Sequence, residues 1–213
     1  MRALLRAVDR PVPALSVIIV NFNAGGLLAE CVGAVLASAL DLEVVVSDNG
    51  SGDSSLAILR REHGGHPRLR ILENGANLGF ARANNAALPH TRAPFLLFLN
   101  PDSLVGPDTL PRMFAFMGAT ADAGMAGCLI RDPGGGEQKA SRRQIPDPWV
   151  GLVRFLHLER FSARAIRKRR LNLVDEPLPG HPVAVEAISG SFMLVRRAAL
   201  EEVGPLDEGY FLH

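Results

Sequence analysis

Short apolar runs alternate with amphipathic segments along the first 130 residues, and this alternation limits the fold more than any other feature. The run Leu15-Ser-Val-Ile-Ile-Val20 is strand-sized and rich in β-branched residues. The segment from Gly26 to Leu40 follows it with apolar residues at helical spacing. The same pattern continues with strands at Leu42–Val46, Leu69–Leu72 and Phe95–Leu99, and with helices at Ser54–Glu62 and Phe80–Leu88. Strands that alternate with helices predict an α/β fold, with a mostly parallel, Rossmann-like sheet flanked by helices.

The second half of the chain breaks this pattern and predicts a smaller additional region. Pro133-Gly-Gly-Gly136 interrupts the alternation, a basic segment with helical spacing follows, and Val183–Val195 indicates two strands that meet at Ser189-Gly190. The predicted organisation is an N-terminal arm, an α/β half, a basic loop and helical insertion, and the start of a last region, with bounds at 1–14, 15–130, 131–182 and 183–213.

Polar side chains recur directly after the predicted strands. They are Asn21 and Asn23, Asp48 and Asn49, Asn77, and then Asn100 and Asp102. Ligands bind outside the carboxyl ends of the strands in open parallel sheets, where helix N-termini favour phosphate. These residues are therefore expected to converge on one crevice that suits a phosphate-bearing ligand.

Each of these residues also has a purely structural interpretation. Asp53 is expected to cap the following helix, the role of Asp48 stays open between turn and ligand, and Asn100-Pro-Asp-Ser103 is a competent turn. Asp102, however, follows five apolar residues, and a carboxylate at the end of a buried strand is costly unless it meets a cation. A divalent metal such as Mg²⁺ or Mn²⁺, bridging to a diphosphate, would satisfy it.

Charge and cysteine content exclude several classes of protein. The 23 Lys and Arg residues nearly balance 22 Asp and Glu, so no nucleic-acid partner is predicted. Two cysteines cannot form a disulfide scaffold, and the first 13 residues lack the apolar core of a signal peptide. These features favour a cytoplasmic location. No G-x-G-x-x-G or Walker loop is present, which argues against a dinucleotide-binding protein and against a P-loop protein.

Four ordered motifs in the first half now carry a resemblance to a known family. They are Val17-Ile-Ile-Val-Asn-Phe-Asn23, Val46-Ser-Asp-Asn-Gly-Ser-Gly-Asp53, Asn77-Leu-Gly-Phe-Ala-Arg-Ala-Asn84 and Leu99-Asn-Pro-Asp102. Ile188–Arg196 and Gly204–Leu212 continue the pattern, so the resemblance spans residues 15 to 213. The chain resembles family-2 glycosyltransferases, and within them the rhamnosyltransferase branch.

The resemblance implies a GT-A fold and gives each motif an expected role. Asp102 matches the last aspartate of the D-x-D motif, which holds the metal on the sugar-nucleotide diphosphate, and Asn100 replaces its first aspartate. Ser189 and Gly190 would form the floor beneath the donor sugar and acceptor. The expected donor-binding residues are Asn21, Asn23, Asp48, Asn77, Gly79, Asn84 and Asn100.

The resemblance also implies the reaction. A sugar, rhamnose or another deoxysugar, would be transferred from a nucleoside diphosphate to a bacterial polysaccharide or lipid-linked acceptor. The transfer would depend on a divalent metal and would invert the configuration of the sugar. The catalytic base of the family is expected just after His213, so none is assigned within the 213 residues, and donor binding is predicted more firmly than turnover. Asp207 and Glu208 match an upstream pair that is usually structural. A fragment, a truncated gene product and completion by a partner all stay open.

Two rival functions remain. A non-catalytic sugar-nucleotide-binding remnant would fit the missing base, whereas a sugar-nucleotide nucleotidyltransferase would need a glycine-rich loop that Asn21–Gly26 does not supply.

Residues 139–170 form a strongly basic stretch, with ten Lys or Arg residues against two acids and with apolar residues interleaved. Two interpretations stay open: a helix that packs its apolar side on the core, or a surface that contacts anionic lipid at the inner face of the plasma membrane.

Overall fold

The computed structural model of the protein describes residues 11–138, the backbone of 142–143, and residues 177–211. The strands are β1 Leu15–Asn21, β2 Leu42–Asp48, β3 Leu69–Glu73, β4 Phe95–Leu99, β5 Met125–Ala126, β6 Arg142–Arg143, β7 Ala187–Ile188 and β8 Phe192–Arg196. The helices are α1 Leu27–Leu36, α2 Ser55–His63, α3 Phe80–Ala87, α4 Thr109–Ala119 and α5 Arg197–Val203, with a 3₁₀ turn at Leu88–His90. The alternation predicted from the sequence is confirmed.

Six strands form the main sheet in the order β3-β2-β1-β4-β8-β5. β1 pairs in parallel with both β2 and β4, and β2 pairs in parallel with β3. All residues of β4 are buried, and β1 and β2 are buried except at Val20 and Glu43. Strands covered on both faces explain why these runs read as continuously apolar. The parallel pairing brings the carboxyl ends of β1, β2, β3 and β4 to one edge of the sheet.

Helix α1 lies against helix α2, and a histidine joins them. The ring Nε2 of His63 lies 3.1 Å from the carbonyl oxygen of Ala29, and a Cβ added to Gly33 would lie 3.1 Å from the same Nε2. His63 is half-buried in this contact. Helix α1 ends at Leu36, before the predicted bound of Leu40, and in the turn that follows the Ser38 hydroxyl accepts a hydrogen bond from the Leu40 N–H.

The chain divides into two compact units. The first comprises residues 1–125 and 194–213, and the second residues 126–193. Within the second unit β6 pairs antiparallel with β7, and Arg131 forms an isolated bridge with Glu137. The two predicted strands on either side of Ser189-Gly190 are confirmed as β7 and β8. The predicted N-terminal arm before residue 11, most of the basic stretch 139–170, and His213 lie outside the described residues.

Among the helices that the structure describes, none has the length and apolar character needed to cross a membrane.

Candidate functional site

The loops that follow β1 and β2 are joined by a buried hydrogen-bond network. The side-chain amide of Asn21 donates to Asp48 Oδ1 at 2.7 Å and to the hydroxyls of Ser51 and Ser55 at 2.9 Å each. Asn21 is completely buried, and its Oδ1 has no hydrogen-bond partner among the residues that the structure describes. Asn21 and Asp48 are also register partners in the parallel pair, which explains why the last residues of two strands meet side by side.

Asp48 holds its own loop in shape. Its Oδ2 accepts hydrogen bonds from the backbone N–H groups of Gly50 at 3.1 Å and Ser51 at 3.0 Å, and its Oδ1 accepts from the Ser51 hydroxyl at 2.7 Å. With Asn21 this makes four partners for a carboxylate that is only 2% exposed. These contacts show the structural role of Asp48: the carboxylate organises the loop that follows β2. Its role towards a ligand stays a prediction.

The two loops are joined a second time nearer the solvent. Asn23, with a left-handed φ of 55°, accepts a hydrogen bond from the Gly52 N–H through Oδ1 at 2.9 Å. Asp53 accepts from the Gly25 N–H at 2.8 Å and from the N–H of Ser55, the first residue of α2, at 3.0 Å. Asp53 precedes Ser54, the N-cap residue of α2, and still satisfies the first N–H group of that helix through its side chain. Hydrogen bonds from the Ser55 hydroxyl and N–H lower the pKa of Asp53 below its usual value.

Asn49, which follows β2, connects these loops to the loop at residues 77–79. Its amide donates to Asn77 Oδ1 and to the Gly79 carbonyl oxygen, both at 3.2 Å, and its Oδ1 accepts from the Asn74 amide at 3.0 Å. The same Asn77 Oδ1 accepts from the Gly79 N–H at 3.0 Å. Asn49 is 2% exposed. Its position after a strand was a sequence signal, but its bridging role needed the pairing of β2 with β3.

Gly79 and Asn84 lie at opposite ends of the first turn of α3. Gly79 has a φ of +83°, and a Cβ there would lie 2.6 Å from the Phe211 carbonyl oxygen. At Gly79, therefore, another part of the chain, Phe211, approaches the backbone closely. Asn84 is buried and donates to the Phe80 carbonyl oxygen at 2.9 Å, so its amide is used within the helix.

The loop after β4 is built differently. Asn100 is half-buried, and Asp102 is exposed to solvent. Because Asp102 is hydrated, the argument that burial of its charge demands a cation is wrong. The turn predicted at Asn100-Pro-Asp-Ser103 is present, closed by the hydrogen bond from the Ser103 N–H to the Asn100 carbonyl oxygen, and it leaves Asp102 at the surface.

A buried cysteine of α1 lies under this loop and was not identified from the sequence. The Cys31 thiol donates to the Asn100 carbonyl oxygen, with a sulfur–oxygen distance of 3.5 Å, and Cys31 is completely buried. The Ser103 N–H donates to the Asn100 carbonyl oxygen at 3.2 Å. Burial raises the pKa of the Cys31 thiol to about 12, and the negative charge of Asp102 adds to the rise.

The residues at this edge fit a divalent metal in only one way. Within the described parts of the chain, no three His, Cys, Asp or Glu side chains are grouped as metal ligands. Mg²⁺, however, is commonly held by one or two carboxylates together with substrate phosphates and water. The exposed Asp102 carboxylate fits that requirement as the one protein ligand, and a diphosphate and water would have to supply the remaining oxygens.

Ser189 and Gly190 belong to the second unit. The Ser189 hydroxyl accepts from the Ser191 N–H at 3.2 Å and donates to the Ser191 hydroxyl at 3.2 Å, and Ser189 is buried. This local turn joins β7 to β8.

A groove of about 670 Å³ lies at the other edge of the sheet, away from all of these loops. Its walls come from the amino ends of β2 and β3 and the residues before them, including Asp41, Glu43, Arg68 and Arg70. Because ligands of parallel sheets bind at the carboxyl edge, the size of this groove does not make it the functional site.

The chain matches known proteins over most of its length. The family model "Glycosyl transferase family 2" matches residues 16–204. The N-acetylglucosaminyl-diphospho-decaprenol L-rhamnosyltransferase of Mycobacterium tuberculosis is 31% identical over 217 aligned residues, which cover 93% of this chain and 66% of that protein.

Solved structures share the fold at low sequence identity. The mannosyltransferase PcManGT from Pyrobaculum calidifontis, in complex with GDP-Man and Mn²⁺, is 20% identical with a TM-score of 0.62, covering 92% of this chain and 48% of that one. S. aureus TarS 1-349 is 18% identical with a TM-score of 0.58, covering 91% and 50%. The present chain thus spans about two thirds of the curated relative and half of each solved chain. The expected GT-A fold is confirmed, and the chain belongs to glycosyltransferase family 2.

Proposed function

We propose that this chain binds a nucleoside-diphosphate sugar and serves its transfer, as rhamnose or another deoxysugar, to a bacterial polysaccharide or lipid-linked acceptor. The observation that carries the proposal is the network at the carboxyl edge, where Asn21, Asp48 and Asn49 fix three loops of a family-2 glycosyltransferase in one arrangement. The similarity to a rhamnosyltransferase supports rhamnose as the sugar, and the decaprenol-linked substrate of that relative supports a lipid-linked acceptor.

The described contacts divide the expected donor-binding residues into two groups. Asn23 and Asn77 are exposed and are proposed to meet the donor directly, whereas the exposed Asp102, the expected metal ligand, is proposed to meet it through the cation. Asn21, Asp48 and Asn84 are buried and already hydrogen-bonded within the protein. Their proposed action on the donor passes through the loops that they shape, and Gly79 and Asn100 serve the same loops through their backbone.

The proposed chemistry is one in-line displacement at the anomeric carbon, which inverts its configuration. The acceptor hydroxyl attacks, the bond to the diphosphate oxygen breaks, and the nucleoside diphosphate leaves with the bonding electron pair. Asp102 is proposed to hold a divalent cation, which supplies neutralising charge for the leaving diphosphate. A general base must take the acceptor proton, and no residue described here is assigned to that task. Ser189 and Gly190 remain proposed as the floor for sugar and acceptor.

A direct test uses the purified chain with a panel of nucleoside-diphosphate sugars that includes rhamnose donors. Calorimetry with Mg²⁺ or Mn²⁺ measures binding, and product analysis with an undecaprenyl- or decaprenyl-linked N-acetylglucosamine acceptor measures transfer. Binding together with transfer, and a product of inverted configuration, would establish the proposal. Binding with no transfer would indicate the non-catalytic remnant, and no binding of any donor would refute the proposal.

Peripheral contact with an anionic membrane through residues 139–170 is proposed from charge alone, because this stretch lies almost wholly outside the described residues. Its cluster Arg167-Lys-Arg-Arg170 would bind phosphatidylglycerol vesicles at low salt and release them at high salt. Co-sedimentation of the chain and of a variant with these four residues neutralised decides the matter. Equal binding by both chains, or no binding at low salt, would leave only a packing role.

A further inference from the structure

Residues 206–211, here called the strap, lie along helix α3 although more than 100 positions separate the two segments. Asn85 makes the main attachment: its side-chain amide donates to the Leu206 carbonyl oxygen at 2.8 Å, and its Oδ1 accepts from the Leu206 N–H at 3.1 Å. One amide side chain therefore satisfies both backbone groups of a single residue, as a neighbouring strand would. The same amide also donates to Glu208 Oε1 at 3.0 Å.

The other end of the strap contacts the loop at residues 77–79. The Phe80 N–H, at the start of α3, donates to the Phe211 carbonyl oxygen at 3.0 Å. The same oxygen lies where a Cβ on Gly79 would be 2.6 Å away, so only glycine permits this approach. Loop 77–79 is thus held from two sides, by Asn49 on the side of β2 and by Phe211 on the side of the strap.

Hydrogen bonds, more than apolar burial, keep the strap in place. Tyr210 and Phe211 are 67% and 59% exposed, and the ion pair of Glu208 with Arg82 is long, at 3.5 Å, and solvent-exposed. Exposed ion pairs contribute little to stability. Segments with few buried apolar contacts open at low free energy. The hydrogen bonds of Asn85 with Leu206 are therefore expected to contribute most to holding the strap on α3.

We propose that Asn85 is a positioning residue: by fastening the strap to α3, it sets the conformation of loop 77–79 with which the chain binds its donor. This inference rests on the proposed function, because it assigns that loop to the donor. Thermodynamic linkage makes the coupling reciprocal, so donor binding protects the strap as the strap favours donor binding.

The test compares the wild-type chain with N85A and with the matched control E208Q. E208Q removes the charge that faces Arg82 but keeps an oxygen acceptor for the Asn85 amide. Hydrogen exchange of the peptides covering residues 77–87 and 204–211 reports the attachment, and calorimetry with UDP, GDP and dTDP, each with Mg²⁺, reports affinity. We expect N85A to exchange faster in both peptides and to bind its nucleoside diphosphate roughly tenfold more weakly, and E208Q to resemble wild type.

A second variant guards against a simple folding defect. N85D keeps an acceptor for the Leu206 N–H but places a carboxylate against Glu208, and the added change Glu208→Gln removes the repulsion and supplies an amide donor. Recovery of slow exchange and affinity in the double variant, relative to N85D, would support the proposal.

These experiments distinguish failure of the proposed function from failure of the proposed role of Asn85. Wild-type protein that binds none of the three diphosphates would refute the proposed function, while the exchange of N85A still reports whether Asn85 fastens the strap. Exchange and affinity in N85A equal to those of wild type would overturn the inference even if the donor binds. Saturating nucleoside diphosphate that leaves strap exchange unchanged would overturn it as well.

Discussion

Strands β1, β2 and β4 end at the same edge of one sheet. The loops that follow β1 and β2 nevertheless arrange their polar groups in the opposite way to the loop that follows β4. In the loops after β1 and β2, Asn21 and Asp48 are buried and form their hydrogen bonds with neighbouring loop atoms. In the loop after β4, the Asp102 carboxylate is exposed to solvent and the loop is held from below by Cys31.

This difference assigns different tasks to the two regions. A buried network keeps its geometry with or without ligand, since any rearrangement would leave polar groups unsatisfied. An exposed carboxylate is free to exchange water for a cation. The first region is therefore expected to govern stability and loop shape, and the second to govern metal-dependent binding. The following changes test that division, from the largest expected effect on stability to the smallest.

Replacing Asp48 with alanine removes the acceptor for four hydrogen bonds. The donors are the buried Asn21 amide, the backbone N–H groups of Gly50 and Ser51, and the Ser51 hydroxyl. We expect a loss of about 3 kcal/mol in the free energy of unfolding, measured by urea denaturation. Nucleotide affinity should fall as well, because the loop loses its shape. The matched control is Asp102→Ala, which removes an exposed carboxylate at the same edge. Equal stability of the two variants would contradict the division.

Replacing Gly79 with alanine should destabilise the protein by about 2 kcal/mol. The φ of +83° strains any residue with a Cβ, and the new methyl would meet the Phe211 carbonyl oxygen. Gly75, which also has a positive φ but no atom within 4 Å of its hypothetical Cβ, serves as a reference for a positive φ without the contact. If thermal melts show the same loss for both alanine variants, then the contact with Phe211 contributes nothing.

The Cys31 thiol, which contacts the loop after β4, predicts that the stability of the folded chain depends on pH. Its pKa in the folded chain is about 12, above the ordinary value of 9.0, so the unfolded chain ionises first. The stability that this thiol contributes is therefore complete below pH 9 and is lost as the pH rises towards about 12.

Denaturation between pH 8 and 11 measures the effect, in a Cys128→Ser background because burial also raises the pKa of Cys128, to about 11. The added change Cys31→Ala should flatten the decline. A decline that is identical with and without Cys31 would show that its thiol does not titrate as the geometry requires.

Replacing Asp102 with asparagine should change the free energy of unfolding by less than about 0.5 kcal/mol, because the side chain is exposed. Binding of nucleoside diphosphates should nevertheless lose its dependence on Mg²⁺, tested by calorimetry with and without EDTA. If wild type and variant respond to EDTA alike, Asp102 is only a turn residue.

Much of the fold was readable in the sequence because its signals are local. The buried strand Phe95–Leu99 is found where its apolar run predicts it, and helices α2 and α3 lie within a residue or two of their predicted bounds. Periodicity reports burial of one or both faces of an element, and that burial is set by residues a few positions apart. The convergence of polar residues after strands follows from the same information, since parallel strands carry their ends to one edge.

The detailed roles at that edge depended on contacts between distant parts of the chain. The sequence placed Asn21, Asp48 and Asn77 at the crevice, but not the bridge that Asn49 makes to Asn77 and Gly79. It suggested a buried charge at Asp102, whereas the turn at Pro101 leaves that residue exposed. The Asn85 amide meets Leu206 across 121 positions. The pattern of buried residues depends on neighbours in the sequence and can be predicted locally. The pairing of polar groups depends on the packed elements, which bring distant residues within hydrogen-bonding distance.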